Sequence, residues 1–238
     1  MNKFSNNVIL ASSSPRRMEI LADMGVKYEV IPANIDESEI KSRFPFLLVE
    51  KLAKAKAEHI ACEHRSDTVI AADTIVVLDG KVYGKPHDRA RAFDMIKKLN
   101  GRTHVVYTGV CVTCEGKKVV ACVKSLVTFK TLTDEQIYAY IDDCKPFDKA
   151  GAYGIQDKRI VKKYSGSYSN IMGLPKEKLG DDSCAAERTR HNAFRSVTCV
   201  ADFEAVARFC RNGGCRLAQN QPHAPLLKWD KIASQVNR

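Results

Sequence analysis

The sequence lacks the apolar segments that mark membrane-spanning or exported proteins. No uninterrupted apolar stretch approaches the roughly 18 residues that a membrane-spanning helix needs. No positively charged segment followed by a long apolar run opens the chain, as it would in a secretory signal. In that setting nine cysteines, an odd number, favour free thiols over a disulfide framework. These absences predict a soluble, cytoplasmic protein with no membrane partner.

Length and charge limit the possible architectures and partners. The 238 residues suffice for one sizeable domain, with or without an appendage. The formal net charge is +10, which suits a polyanionic partner. Nucleic acid, an anionic membrane surface and nucleotide phosphates all satisfy that charge, so the charge alone does not choose among them.

A short apolar strand runs into a helix start near the beginning of the chain, in the segment VILASSSPRRMEIL at residues 8–21. Pro15 suits the first helical position, and three serines precede it. Unpaired N–H groups and the helix dipole attract anions there, and Arg16 and Arg17 can bind phosphate oxygens in bidentate fashion. The segment therefore predicts a phosphate site. Spacing alone also allows a serine-capped helix with two solvated arginines.

Hydrophobic periodicity predicts alternating strands and helices up to about residue 175. The capping-box sequence at Thr133 gives one clear helix start. Helices are predicted over residues 15–25, 44–62, 88–99 and 133–143. Strands are predicted over residues 8–10, 28–32, 68–78, 82–83, 104–114, 117–129, 160–164 and 168–172, of which 104–114 and 117–129 form an antiparallel ribbon.

Asp73 lies inside the most apolar of these strands, TVIAADTIVVL at residues 68–78. A buried carboxylate must be paired, hydrated or bound to a metal, because an unpaired buried charge is costly. Asp73 is therefore the best catalytic candidate, and pairing with a lysine or with a backbone N–H is the structural alternative. With Glu37 it would form an oxygen-rich site suited to Mg²⁺ or Mn²⁺. Lys56 and Lys85 could neutralise phosphates, although each taken singly is typical of a surface lysine.

Five motifs together resemble the Maf family of nucleoside triphosphate pyrophosphatases. They are Ser12-Ser13-Ser14-Pro15-Arg16-Arg17, Ala72-Asp73-Thr74, Gly84-Lys85-Pro86, Gly101-Arg102-Thr103-His104 and DKAGAYGIQ at residues 148–156. Their order and spacing match the family, and the last motif is the most specific. The resemblance covers about residues 8–175, so we divide the chain into a Maf-like domain over residues 1–175 and an atypical C-terminal tail over residues 176–238.

The resemblance implies a fold and a reaction. The fold is a mixed α/β fold related to inosine triphosphate pyrophosphatases, with a twisted sheet, flanking helices and two lobes around a central cleft. The family is commonly dimeric. The reaction converts a nucleoside triphosphate to the monophosphate and pyrophosphate with a divalent cation, Mg²⁺ or Mn²⁺.

The resemblance also implies roles for individual residues. It makes Asp73 the proton acceptor and Glu37, Lys56 and Lys85 members of the polar active site, where Glu37 and Asp73 are the candidate metal ligands. The phosphate site at the helix start assigns substrate binding to Ser12, Ser14 and Arg16, and the resemblance adds Arg17, Thr74 and Gln156 as substrate-selecting positions. The branch acting on dTTP and UTP has Arg, Thr and Gln at three selecting positions, as in Arg17, Thr74 and Gln156 here. The 7-methyl-GTP branch instead has Trp before Arg, Asp-Gln for Asp-Thr, and Glu for Gln. An amide offers uracil or thymine both a donor and an acceptor, whereas glutamate only accepts. The resemblance thus implies hydrolysis of dTTP and UTP, or of modified pyrimidine triphosphates.

Two segments depart from the family pattern. Asp157-Lys158-Arg159 follows Gln156 where the family usually has a glycine-rich turn, which bears on specificity. The helix expected after Pro175 is interrupted at Gly180-Asp181-Asp182. The arginine-rich tail that follows has one predicted helix, over residues 200–210. All recognisable motifs precede the tail, so catalysis is not expected to need its side chains.

Two non-catalytic functions remain as alternatives from sequence alone. One is a nucleic-acid or protein-binding module with zinc held by Cys111, Cys114 and one or more of Cys210, Cys215 and His223. The other is a regulator of septum formation. The odd separation of Cys111 and Cys114 on a predicted strand points them to opposite faces, which disfavours a shared zinc ion. Nucleic acid is therefore not the expected partner.

Overall fold

A computed structural model describes residues 7–180 of the chain. The predictions for residues 181–238, including the helix at 200–210 and the zinc candidates Cys210, Cys215 and His223, lie outside these residues. The strands are β1 Val8–Leu10, β2 Glu29–Val30, β3 Thr68–Leu78, β4 Lys81–Tyr83, β5 Thr103–Cys114, β6 Lys117–Phe129 and β7 Val161–Ser165. The helices are α1 Pro15–Asp23, α2 Pro45–Ala61, α3 Arg89–Leu99, α4 Asp134–Cys144, α5 Tyr168–Met172 and α6 Glu177–Gly180.

The strands form one mixed sheet within residues 7–180. Their order is β2-β1-β3-β5-β6-β7, and β4 pairs with β3 as a hairpin. Strand β1 runs parallel to β2 and β3, whereas the remaining pairs are antiparallel. The β3–β5 register places Asp73 opposite Gly109 and Thr74 opposite Thr108. The predicted mixed α/β fold with flanking helices is confirmed.

Strand β3 is buried on both faces, as its apolar sequence predicts. Odd-numbered residues such as Val69 and Ala71 pack in the same core as Ala53 and Ala57 of α2. Even-numbered residues pack instead in the core that contains α1, α3 and α4, where Val76 is one member. Because side chains alternate along a strand, Asp73 falls on the α2 face and Thr74 on the α1 face.

One predicted strand is wrong. Residues 168–172 form helix α5, which Ser167 caps by accepting the N–H of Asn170. Gly173, with a φ of 114°, ends that helix in the left-handed conformation that glycine favours. A capping serine and a terminal glycine are helix signals that outweigh the short apolar pattern between them. Helix α6 follows Pro175 and reaches the last residue that the structure describes, so the interruption expected at Gly180-Asp181-Asp182 stays a prediction.

Cys111 and Cys114 are both buried in β5. Among residues 7–180, no cluster of three or more His, Cys, Asp or Glu side chains could hold a metal ion. The same residues contain no helix that is both long and apolar enough to cross a lipid bilayer.

Candidate active site

A cleft of about 600 Å³ opens beside the middle of β3. The β1–α1 turn, the residues after β4, the segment 148–156 and the end of α5 form its walls. The cleft brings together all ten predicted site residues: Ser12, Ser14, Arg16, Arg17, Glu37, Lys56, Asp73, Thr74, Lys85 and Gln156. Segments distant in sequence therefore converge where the resemblance implied a single site.

Lys56 lies between two carboxylates at the base of the cleft. Its Nζ is 2.6 Å from Asp73 Oδ1 and 2.8 Å from Glu37 Oε1. Lys56 is only 8% exposed and Asp73 only 9%. The interpretation of Lys56 as a surface lysine is wrong, because α2 packs this side of its helix against the odd-numbered face of β3. Asp73 does pair with a lysine, and that lysine is itself a cleft residue.

The donor set around Lys56 fits a divalent cation that also binds substrate oxygens. Two carboxylates share one ammonium, and within residues 7–180 the second oxygen of each carboxylate accepts no hydrogen bond. Mg²⁺ is commonly bound by one or two carboxylates together with water and substrate phosphates. Asp73 and Glu37 supply that number of protein ligands, but not a complete coordination shell.

Arg17 of α1 is held by three different groups. Its Nε donates to the carbonyl oxygen of Gly173 at 2.9 Å, its Nη1 to Ser12 Oγ at 2.8 Å and its Nη2 to Thr74 Oγ1 at 3.2 Å. Burial lowers the pKa of the guanidinium from its ordinary value, and the charge of Asp73 opposes that shift. These bonds fix the direction of Arg17 beside the carboxylates.

The start of α1, where the sequence predicts a phosphate site, lies on the cleft wall. Ser14 is the N-cap residue, but its side chain makes no capping hydrogen bond. Ser12 also does not cap the helix, because its hydroxyl accepts from the backbone N–H of Ser14 and from Arg17. Arg16 Nη1 is 3.6 Å from Asp148 Oδ2, a distance that leaves the guanidinium available to other anions. The serine-capped alternative does not describe these side chains.

A chain of hydroxyl and amide groups behind Thr74 has no counterpart in the sequence predictions. Thr74 Oγ1 lies 3.0 Å from Thr108 Oγ1, and Thr108 donates to the backbone oxygen of Asn170 at 2.9 Å. Asn170 Nδ2 in turn donates to Ser125 Oγ. These groups link three strands to α5 and hold Thr74 from behind. The sequence signal that could have placed Asn170 in this network is the helix N-cap at Ser167, but residues 168–172 were predicted to form a strand.

Gln156, at the end of the segment 148–156, also lines the cleft. Its Nε2 donates to the sulfur of Met172 at 3.1 Å, and its side chain is otherwise exposed. Before it, Gly151 adopts a φ of 70° and donates its N–H to the carbonyl oxygen of Gly84. That bond joins the DKAGAYGIQ segment to the Gly84-Lys85-Pro86 motif, so Lys85 and Gln156 share one wall of the cleft.

A buried aromatic cluster supports the same wall. His104 Nε2 lies 2.9 Å from Tyr153 Oη, and both rings stack edge to face with Phe129. Burial lowers the pKa of His104 to about 4, so the ring is neutral at physiological pH. The sequence marked His104 only as part of a motif, whereas the structure gives it a packing role beneath the cleft.

Comparison with known proteins gives one consistent result. A family model described as "Maf-like protein" matches residues 7–181. A dTTP/UTP pyrophosphatase of Clostridioides difficile (strain 630) is 48% identical over 179 residues, covering 74% of this chain and 92% of that protein. A dTTP/UTP pyrophosphatase of Thermosipho africanus is 46% identical over a region that covers 73% of this chain and 90% of that protein. A dTTP/UTP pyrophosphatase of Geotalea uraniireducens is 45% identical over a region that covers 74% of this chain and 92% of that protein.

Proposed function

The chain belongs to the Maf family, and we propose that it hydrolyses dTTP and UTP, or modified pyrimidine triphosphates, to the monophosphate and pyrophosphate. One observation carries the proposal: Arg17, Thr74 and Gln156 line the same cleft as the Lys56–Asp73 pair. The residues proposed to recognise the base and the charged pair proposed to carry out the reaction can therefore contact the same bound nucleotide.

Asp73 is the proposed general base. Lys56 holds its Oδ1, which leaves Oδ2 to accept a proton from water. The oxygen of that water forms the new bond to the α-phosphorus, and the bond from the α-phosphorus to the bridging oxygen breaks. The electron pair leaves with pyrophosphate. Positioned general bases typically contribute about 10²- to 10⁴-fold to a rate.

The cations of the cleft offset the charge that develops on the leaving pyrophosphate. Lys56 sits at the reaction centre, and Arg16 lies at the start of α1 with only a long contact to Asp148. Lys85 makes no ion pair within residues 7–180, so its ammonium is available to a phosphate. Asp73 and Glu37 would hold Mg²⁺ or Mn²⁺, which would supply further positive charge to the phosphates when bound.

Gln156 is the proposed reader of the base edge. Its amide donor now contacts only the thioether of Met172, and a thioether is a weak acceptor that a base carbonyl can replace. Arg17 and Thr74 are already hydrogen-bonded to each other and to fixed groups, so they would meet the substrate with little rearrangement.

We also propose that the chain consists of a catalytic domain and a non-catalytic tail, and that it forms a cytoplasmic homodimer. Every predicted site residue lies before residue 157, and the family match ends at residue 181, so residues 1–175 would contain the catalytic domain. The tail over residues 176–238 would supply no catalytic group. The homodimer and the cytoplasmic location rest on the resemblance and on the sequence alone.

Pyrophosphate release by the purified full-length chain tests the function. We would assay canonical and modified triphosphates with Mg²⁺ or Mn²⁺, and with excess chelator as the control. We expect turnover to be highest with dTTP, UTP or a modified pyrimidine triphosphate and to stop when the chelator is added. Salt-dependent RNA binding without turnover of any triphosphate would replace this proposal with a nucleic-acid-binding function.

A further inference from the structure

The segment that follows Gln156 is fastened to helix α4 by an arginine. Arg159 Nη2 donates to Asp157 Oδ2 at 2.7 Å, and its backbone N–H donates to Asp157 Oδ1 at 2.9 Å. The same guanidinium reaches α4, where Nη1 donates to Asp143 Oδ2 at 2.8 Å. Arg159 therefore ties residue 157 of the loop to the end of a helix.

A second anchor lies on the other side of Gln156. The backbone N–H of Gly154 donates to Tyr140 Oη at 3.2 Å, and the guanidinium carbon of Arg159 lies 5.5 Å from the centre of the Tyr140 ring. Tyr140, Asp143 and Cys144 share one face of α4, because residues three and four apart are neighbours on a helix. Cys144 Sγ contacts Asp157 Oδ2 at 3.2 Å and completes that face.

Helix α4 is a firm support for these contacts. Thr133 and Gln136 form a complete capping box at its start, and Ile137 and Ile141 are fully buried. The hydrogen bonds from Arg159 lower the pKa of Asp157 to about 2, so the carboxylate is ionised throughout the physiological range.

We propose that Arg159 is a positioning residue that presents Gln156 to the pyrimidine base, with Tyr140 and Asp143 of α4 as its supports. The inference rests on the proposed function, which assigns base reading to Gln156. In this chain, Asp157-Lys158-Arg159 stands where the family pattern usually has a glycine-rich turn. An ordered loop loses less conformational freedom when substrate binds, so the expected effect falls on KM and on base discrimination.

The effect on stability should be small, which makes a matched control necessary. The Arg159 side chain is 52% exposed, and exposed ion pairs contribute little to folding. Arg89 provides the match: it forms a bidentate pair with Asp142 of the same helix and is also 52% exposed. It also lies over a tyrosine ring, that of Tyr138, but it does not contact the Gln156 loop.

The experiment compares Arg159→Gln with Arg89→Gln in the full-length chain. Steady-state rates with dTTP, UTP and dCTP give kcat and KM, and hydrogen exchange measures the peptide spanning residues 153–160. We expect Arg159→Gln to raise KM for dTTP and UTP three- to tenfold, with kcat within twofold. It should also lower the preference for dTTP over dCTP and speed exchange in that peptide. Arg159→Lys should recover part of each change, because a lysine keeps the positive charge but lacks the planar fork with which Arg159 donates to Asp157 and Asp143 in fixed directions.

The outcomes separate this inference from the proposed function. If the wild-type chain is active on dTTP or UTP and Arg159→Gln behaves like Arg89→Gln, the positioning role is overturned and the proposed function stands. If kcat falls and KM does not change, Arg159 acts on the chemistry and the inference is equally overturned. If the wild-type chain hydrolyses no pyrimidine triphosphate, the proposed function fails, and the role of Arg159 fails with it.

Discussion

Gly109 brings the backbone of Val49 directly onto the sheet: a β-carbon at residue 109 would lie 2.3 Å from the carbonyl oxygen of Val49. Gly109 pairs with Asp73 across the β3–β5 ladder. Lys56 follows Val49 by about two turns of α2, so this close approach helps to set the distance from Lys56 to Asp73.

Replacement of Gly109 by alanine should therefore disturb both stability and catalysis. The added methyl group meets backbone atoms that cannot rotate away, so we expect a loss of about 3 kcal/mol in the free energy of unfolding. Urea unfolding measures the loss, and turnover should fall in the fraction that remains folded. Gly84→Ala is the stability control, because a β-carbon there meets no atom within 4 Å. Equal stability of the two variants would contradict the proposed close packing.

Asp73→Asn tests the general base. The variant keeps the shape of the side chain and an oxygen for Lys56, but it removes the proton acceptor and one anionic metal ligand. We expect kcat to fall by about 10²- to 10⁴-fold with the fold retained, as judged by circular dichroism. Asp67→Asn, which alters a carboxylate paired with His64, is the control. Turnover near the wild-type level would exclude Asp73 as the base.

Gln156→Glu tests base reading by replacing a donor with a charged acceptor. We expect kcat/KM for dTTP and UTP to fall by an amount equivalent to about 1 to 3 kcal/mol, because a base acceptor loses its partner. Gln136→Glu makes the same chemical change in the capping box of α4, where glutamate is equally suitable, and should leave kinetics unaltered. A variant at residue 156 with the wild-type pyrimidine preference would remove Gln156 from base recognition.

His104 should make the fold sensitive to mild acid. Its pKa in the folded protein is about 4, below the ordinary value of 6.5, so the unfolded chain binds more protons between those values. Stability is therefore complete above about pH 6.5 and falls as the pH drops towards 4, by about 3 kcal/mol. Urea unfolding at several pH values should show that His104→Phe loses less free energy of unfolding than the wild-type protein as the pH falls. Phe129→Leu, which weakens the same cluster but keeps the histidine, should retain the wild-type dependence of the free energy of unfolding on pH. The same pH dependence in all three proteins would refute the attribution to His104.

Truncation after Leu179 tests the division of the chain. All predicted site residues lie before that point, so the soluble truncated protein should keep its activity within a few-fold of the full-length chain. Its melting temperature or solubility is expected to be lower on the hypothesis that the helix predicted from sequence over residues 200–210 packs on the sheet, because its removal would then expose apolar area. A truncated protein that binds metal and nucleotide normally but cannot turn over would instead assign a catalytic role to the tail.

The local parts of the fold could be predicted because their signals are local. The apolar strand around Asp73, the capping box at Thr133 and the proline at the start of α1 each lie within a few residues of the feature they predict. The burial of Lys56 could not be predicted, because it depends on which face of β3 the helix covers. Residues 168–172 were misassigned because a short apolar run suits either a strand or a helix.

The candidate site was only partly accessible to physical reasoning from the sequence. A carboxylate in a buried strand identified Asp73 as a candidate, and serines before a helix identified the β1–α1 turn as a candidate phosphate site. Gln156 has no local signature of function, and the resemblance alone singled it out, whereas Lys85 was a candidate from its charge but indistinguishable from a surface lysine. The partners of Arg17 and Thr74 depend on strand register and on helix α5, neither of which a linear pattern specifies.

The hydrogen bond from Arg17 to Gly173 joins residues that are 156 positions apart in the chain. Contacts between distant segments form slowly, and a growing chain leaves the ribosome from its N-terminal end. The first strand and helix therefore emerge long before the carbonyl group that orients their arginine. A nascent chain that stops short of Gly173 has the β1–α1 turn without the hydrogen bond that orients Arg17, so the cleft is completed only when synthesis has passed α5.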